Sequence, residues 1–391
     1  MKRCVRQIAL LLALCLLLPV LSGCWGYHDV DELFIAMGGY LDRDPITKEF
    51  ILYSEVLKPK GGTGGEMVLE VVSGKGDTIF AAIRDALIAA GGRLYWGHTQ
   101  VWVISRRLAE SGIIASLDMI SRGTEIRTDT NVLIYDGTDM RELIESHSDN
   151  VLQNSMAEHL NRMIEDYRRS GVFVATPIWM VLGQLSSGGT ALTLPLLEVY
   201  VEGDGDQMEM DVKSIAVFHS EKMVGDIERD YGVFLYGYRG DLKKEYLLYL
   251  PEINDLPANA LEVTSTEYKT QIKEGPDGLK ASIRCDITAN LTSFQSEKDY
   301  LEINTIVFIE REYERYIREE FLRMVREVQQ KYGVDIFGFG QQAHIQLPQY
   351  WQKVKGDWDA AFRGMDVDIE PHVKITMTGL AHKPLVAAGS D

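Results

Sequence analysis

The stretch DTIFAAIRDALIAAGGRLYWGHTQVWVIS, residues 77–105, decides the fold class. Asp77 and Thr78 are capping residues, because their side-chain oxygens accept from the free amides of a first helical turn. Apolar residues then recur at 79, 80, 83, 86, 87 and 90, a helical spacing, and Gly91-Gly92 stops the run. Thr99 to Ser105 follows with Val101, Trp102, Val103 and Ile104 in unbroken succession, which reads as a strand buried on both faces. The pattern continues downstream. Two short helices are expected over 107–122, broken near Gly112, then a strand over 131–135 and a short helix over 139–145. Strands alternating with helices at this spacing predict α/β or α+β layering.

Upstream, residues 33–40 and 49–57 are β-formers around the turn chemistry of Asp42-Arg43-Asp44-Pro45, so a hairpin is expected. Gly61-Gly62-Thr63-Gly64-Gly65 is a loop with nothing to pack, and 66–73 resumes as a strand. Residues 150–188 read as mostly helical, divided by Gly171 and Pro177. Strands are expected over 196–201 and 212–219, around an acidic turn at 202–206. Residues 268–273 and 279–291 alternate around the strong turn signal Glu274-Gly275-Pro276-Asp277-Gly278. Ile309 to Lys331 is the longest expected helix, with Tyr313, Tyr316, Ile317, Phe321, Met324 and Val328 on one face. A last strand runs from Asp366 to Leu380, and no repeat of solenoid period occurs.

The composition fits a globular chain of two or three domains: 391 residues, 46% hydrophobic and 25% charged. Forty basic against 58 acidic side chains give a net charge of −18. Nucleic acid is excluded as a partner, because binding phosphate requires a basic face. Recruitment to an anionic membrane by charge alone is excluded for the same reason. Three of the four cysteines, Cys4, Cys15 and Cys24, fall in the first 24 residues; the fourth is Cys285. No disulfide framework or cysteine zinc site can be built from what remains after those residues.

Lys2, Arg3 and Arg6 form a positive leader, and Ile8 to Val20 is apolar but too short to cross a bilayer. Leu21-Ser22-Gly23-Cys24 then resembles the bacterial lipobox, in which the cysteine thiol is acylated and the chain is cleaved before it. The reading is a cleaved signal peptide, 1–23, with Cys24 as the lipid-attachment residue. The lipid is a diacylglycerol, with or without an added N-acyl chain. Removing Lys2, Arg3 and Arg6 leaves 37 basic and 58 acidic side chains, a net of −21. Anchoring then rests on acyl chains, at about 0.8 kcal/mol per buried methylene.

Signs of chemistry are few. The eight histidines, at 28, 98, 147, 159, 219, 344, 372 and 382, include no pair at i, i+3 or i, i+4. Asp204-x-Asp206 begins like a calcium loop, but Met208 and Glu209 stand where a ligand and the turn glycine are needed. No serine sits in a nucleophile elbow, and Ser148-Asp149-Asn150 lacks the companion motifs of a penicillin-recognising enzyme. Cys285, inside an alternating strand, reads as a small core residue. Ser73-Gly74-Lys75-Gly76-Asp77-Thr78 is half a phosphate loop without its first glycine or its magnesium-binding hydroxyl. Gly338-Phe339-Gly340-Gln341-Gln342-Ala343 spells a dinucleotide fingerprint, but a helix precedes it and Pro348 leaves no room for the helix that should follow. The residues therefore offer no catalytic, metal-binding or cofactor-binding residues to name.

Several stretches together resemble the Ger(x)C family of spore germination lipoproteins, the C subunits of nutrient germinant receptors. They are Gly23-Cys24-Trp25 with Asp31-Glu32-Leu33; Gly76 to Arg84; and His98 leading into Val101–Ile104, Leu108-Ala109 and Gly112-Ile113. Farther on come Ala216-Val217-Phe218 with Met223-Val224-Gly225, then Asp335-Ile336-Phe337-Gly338-Phe339-Gly340. Pro348-x-x-Trp351 and Trp358-Asp359-x-x-Phe362 complete the set. Asp230-Tyr231-Gly232 and Ile345-Gln346 depart from the family pattern. On the residues alone, His98 reads as a buried or capping histidine, Trp351, Trp358 and Phe362 as core, and Gly338 and Gly340 as backbone geometry.

The resemblance implies a multi-domain α+β ectodomain of mixed sheets with helices packed on them, without catalytic activity. It implies a lipoprotein on the outer face of the spore inner membrane, assembled with two multispanning receptor subunits. The expected divisions are 24–195, itself divisible in two, then 196–255, then 256–391 with its long helix. The alternative function is a lipid-anchored solute-binding protein of a transporter. Such proteins have two doubly wound lobes around a cleft, which the hairpin near 33–57 and the β-rich run over 260–310 fit poorly.

Overall fold

The Thr78 hydroxyl accepts from the Ala81 amide at 3.2 Å, and Gly91 turns left-handed at φ 71°, so the helix read from the sequence has the expected ends. The computed structural model describes residues 3, 6–7, 33–59, 67–146, 155–167, 170–201, 208–242, 245–252, 258–276, 278–294 and 303–377. Cys24, the Ser148-Asp149-Asn150 triplet and the Asp204-x-Asp206 turn lie outside the described residues.

The chain begins with the hairpin β1 (Leu33–Arg43) and β2 (Phe50–Pro59), then β3 (Met67–Gly76), α1 (Ile79–Ala90) and β4 (Arg93–Tyr95). Next come β5 (Val101–Ser105), α2 (Arg106–Ser111), α3 (Ile114–Arg122), β6 (Asn131–Tyr135), α4 (Met140–Glu145), α5 (Met156–Tyr167) and α6 (Ile178–Ser186). β7 (Thr193–Val201), β8 (Met208–His219) and β9 (Lys222–Glu228) follow, then α7 (Gly232–Arg239). The last part holds β10 (Tyr246–Leu250), β11 (Asn259–Gly275), β12 (Gly278–Phe294) and α8 (Ile303–Lys331). It ends with α9 (Phe339–Gln346), α10 (Pro348–Val354), α11 (Trp358–Arg363) and β13 (Asp366–Met377).

Among the described residues the strands form two sheets. The nine-stranded sheet runs β3-β2-β1-β5-β6-β7-β8-β9, with β4 beside β1. Its middle is parallel, β1 to β5 to β6 to β7, and its wings are antiparallel hairpins. Parallel strands need cover on both faces, and β5 shows how it is supplied. Val101 and Val103 enter one hydrophobic core, Trp102 and Ile104 the other, because successive side chains point to opposite faces. Helices α1, α2, α3 and α6 cover the Trp102 face; α4, α5 and the C-terminal half cover the Val101 face. The sequence division at 195/196 falls within β7.

The second sheet, β10-β11-β12-β13, is antiparallel except for the β12–β13 pair. Along β12 every odd residue from Leu279 to Leu291 is buried and none of the even ones is, so one face meets protein and the other water. Cys285 lies wholly inside, and burial pushes its thiol up to about 12. The long helix, 29 residues, lays Ile309, Tyr313, Ile317, Phe321, Met324 and Val328 into that core. The hydrophobic cluster then continues without a break from this sheet to the Val101 face of the large one.

Candidate functional site

The feature the fold builds most elaborately is the seam where the two halves meet. It consists of two loops: Ser187–Leu192, between α6 and β7, and Tyr332–Gly338, between α8 and α9. Asp335 is the centre. Its carboxylate is 2% exposed. It accepts from the amides of Phe337 and Gly338 at 2.9 Å and of Gly340 at 2.7 Å, and from Trp358 Nε1 at 3.1 Å. Burial nevertheless lifts the Asp335 pKa to about 6 against the pull of those donors. The Asp335 carbonyl in turn accepts from the Ala191 amide at 2.6 Å, which ties this loop to the large sheet.

The glycines explain how closely the loops approach. A Cβ on Gly340 would lie 2.5 Å from Gly189 Cα and 2.8 Å from Gly189 O, so backbone meets backbone there. Gly338 sits at φ 87°, left-handed, and begins α9. Two more contacts flank this one. The Tyr332 hydroxyl accepts from the Asp226 amide at 3.0 Å and donates to the Asp226 carbonyl at 2.5 Å, holding the end of α8 to β9. His219 Nε2 stands 2.9 Å from Asp359, half-exposed. Beneath the seam Phe337, Phe339 and Phe362 stack within 5.3–6.3 Å of one another. Cavities of about 410 Å³ and 320 Å³ lie on either side of Thr190.

This geometry corrects one expectation and supplies a physical reason for another. Pro348 does not prevent a helix after Gly338: α9 fits in eight residues, and Pro348 opens α10 from its first turn, where a missing N–H costs nothing. The amides that a cofactor phosphate would need are already occupied by the Asp335 carboxylate, so the loop carries its own anion. Trp358 and Phe362 are core residues, and Trp358 is also a donor in the seam; Trp351 packs beside it at 5.3 Å. His98 was expected to be buried or capping and is exposed, at the end of a short turn (Trp96–His98) with its ring edge on Tyr95. The fold itself gives the reason: His98 lies in the surface connection between β4 and β5. Gln346, a departure from the family pattern, clips β11 by accepting from the Ile272 amide at 2.9 Å and donating to the Thr270 carbonyl at 2.8 Å.

Sequence reasoning missed Glu55. Its carboxylate, 2% exposed, accepts from the Met156 and Ala157 amides at the start of α5, at 2.7 and 2.9 Å, and from the Tyr40 hydroxyl at 2.5 Å. Burial raises its pKa. A lone acid in an apolar strand was the available signal. Among the described residues no group of three or more His, Cys, Asp or Glu is placed to hold a metal ion, and no helix is long and apolar enough to cross a membrane. The seam is equipped to hold two bodies in a fixed relation.

Comparison with known proteins also divides the chain in two, but at a different place. Residues 26–199 match the family model of the spore germination protein N-terminal domain, and residues 213–379 that of the spore germination B3/GerAC-like C-terminal domain. The chain is similar to spore germination protein KC of Bacillus subtilis (strain 168), 23% identical over 97% of this chain and 98% of that one. It is also similar to spore germination protein B3 of the same organism, 22% identical over 94% and 97%. The crystal structure of the GerBC protein superposes with a TM-score of 0.53 at 15% identity, covering 89% of this chain and 99% of that one, which shows a shared fold. The α+β fold, the two family domains in order and the full-length relatives lead to one conclusion: the chain belongs to the GerC family of germinant receptor subunits.

Proposed function

We propose that this chain is a non-enzymatic, lipid-anchored subunit of a spore nutrient germinant receptor. Acyl chains on Cys24 hold it at the outer face of the spore inner membrane, and it works through contacts with two multispanning partner subunits. The observation that carries this reading is the full-length family match behind a leader ending in Leu21-Ser22-Gly23-Cys24. Two acyl chains hold a protein stably where one holds it marginally, so no basic surface is required of a chain this acidic. The seam supports a mechanical role, since it fixes the C-terminal half against the large sheet through three polar links over an aromatic core. A solute-binding protein has a cleft between lobes with separate cores. Here one hydrophobic cluster runs through both halves, which favours the receptor-subunit reading.

The test begins with the anchor. The mature protein should carry acyl mass at its N-terminal cysteine, and Cys24→Ala should move it from the detergent phase to the aqueous phase in a two-phase extraction. Crosslinking from spore membranes should then recover two multispanning chains. Recovery of soluble transport components alone would overturn the receptor reading.

A further inference from the structure

We propose that the end of the large sheet where β1, β3 and β4 begin is a membrane-contact surface, laid against the lipid headgroups by Met67, Ile88 and Trp179. The inference rests on the anchoring proposed above and adds to it a face and an orientation.

Strand register defines this end. Leu33 pairs with Arg93, so β1 and β4 start side by side; Ile35 pairs with Leu57, and two residues farther along β2, Pro59 pairs with Met67. Helix α1 runs back between β3 and β4, which are both parallel to β1, and so carries Ile88 to the same end one turn before it stops. β6 starts farther along, since Asn131 pairs with Val101 and Val101 with Gly38, but the residues before it lead back toward this end. Pro177 bridges to Asn131, and the Trp179 amide donates to the Thr128 carbonyl at 3.1 Å. Met67, Ile88 and Trp179 are respectively 40%, 74% and 56% exposed, large apolar groups turned to the outside.

Two observations commit this surface to a lipid bilayer. The first is chain length. Leu33 is nine residues along the chain from Cys24, and a fully extended chain spans at most about 3.5 Å per residue, so the anchor point lies within about 30 Å of this end. The second is charge. The mature chain is strongly acidic, yet among the described residues here three acids are each offset by a base: Glu70 by Lys58, Glu125 by Arg93 at 2.5 Å, and Asp129 by Arg127 at 2.5 Å. A balanced surface approaches anionic headgroups without repulsion. A tryptophan also suits the boundary, with its ring in the apolar layer and its N–H in the polar one. Three such side chains would not hold a free protein, but the tether makes their insertion intramolecular.

The opposite end of the same sheet provides the control. Ile46, in the β1–β2 turn, is 87% exposed, but the 11 residues of β1 put it about 35 Å away at the rise of a strand. Side chains at the interface sink only about 5–10 Å.

The experiment uses full-length acylated protein on phosphatidylglycerol–phosphatidylethanolamine vesicles, with an environment-sensitive fluorophore on Ile88→Cys, Trp179→Cys or Ile46→Cys. Emission at 88 and 179 should rise about threefold on attachment, as for a probe leaving water for the headgroup boundary, and should be quenched by spin-labelled lipid. Emission at 46 should not change. Vesicle flotation and intact mass are read on the same samples. A chain that floats with acyl mass but gives equal responses at 88 and 46 overturns this inference and leaves the anchor standing. Responses at 88 and 179 that need other spore membrane proteins overturn it as well, in favour of a protein contact. A chain without acyl mass that stays off the vesicles overturns both readings.

Discussion

Two buried carboxylates, Glu55 and Asp335, perform the same local task in different ways. Each accepts backbone amides where a helix begins, α5 for Glu55 and α9 for Asp335, and each is 2% exposed. Glu55 reaches across about a hundred residues of sequence, from β2 to α5, and so staples a helix to the sheet of its own half. Asp335 takes the amides of residues two, three and five places ahead and so builds a rigid loop. That loop then offers its carbonyl to Ala191 in the other half. The first closes a domain; the second shapes a surface on which another domain docks. The same chemistry serves stability in one place and relative placement in the other.

Removing the carboxylates should separate these roles most strongly. Asp335→Ala leaves four buried donors without an acceptor and should cost about 4 kcal/mol, at 1–3 kcal/mol for each donor that water cannot reach. Glu55→Ala should cost about 3 kcal/mol, since the Tyr40 hydroxyl can turn elsewhere. Denaturant titration gives both values, and hydrogen exchange locates them: residues 187–192 should open in the first variant and 156–160 in the second. If both variants opened both segments, the contrast would fail.

A smaller effect tests the docking contact without touching an acid. Gly340→Ala drives a Cβ into the Gly189 backbone, which cannot yield as a flexible side chain would, and should cost about 2 kcal/mol. Exchange should again rise at 187–192 and stay unchanged in α5. The pH dependence sharpens the same point. Folding raises the Asp335 pKa from 3.8 to about 6, so the native chain holds this proton more tightly than the unfolded one. The group's contribution to stability is therefore fully present below pH 3.8, declines as pH rises to about 6, and is flat above that. Asp335→Asn should remove that slope from the stability profile. His219→Ala, which breaks a half-exposed pair, should change stability by less than about 0.5 kcal/mol and marks the lower limit of the series.

The sequence revealed those elements whose signals are local. The odd-numbered alternation of β12, the apolar face of α8 and the Thr78–Gly91 ends of α1 are all readable because each residue's fate depends on neighbours within a few positions. The elements that escaped have weak local signals. Helix α7 contains Gly232 and Gly237 and forms where Gly232 presses on the Val172 carbonyl, a contact 60 residues away in sequence. Gly338 and Gly340 read as backbone geometry and Pro348 as leaving no room for a helix, over a segment that is in fact three short helices, because a left-handed glycine and a first-turn proline also begin helices. The seam was legible only as a set of family residues. Its pairings, Ala191 with Asp335 and Tyr332 with Asp226, join positions more than a hundred residues apart, and no periodicity records them.

The C-terminal family match begins at residue 213, inside β8, yet β8 and β9 complete the sheet that the N-terminal match builds. A fragment ending near 199 would leave β7 as a bare edge, open to pairing with any other chain. During synthesis from the N-terminus, that edge stays uncovered until β8 has emerged, at residue 219, and the edge of β8 until β9 follows, at residue 228. The boundary drawn by homology is therefore not a place to cut, and a chaperone guarding the nascent protein would be needed longest over residues 193–228.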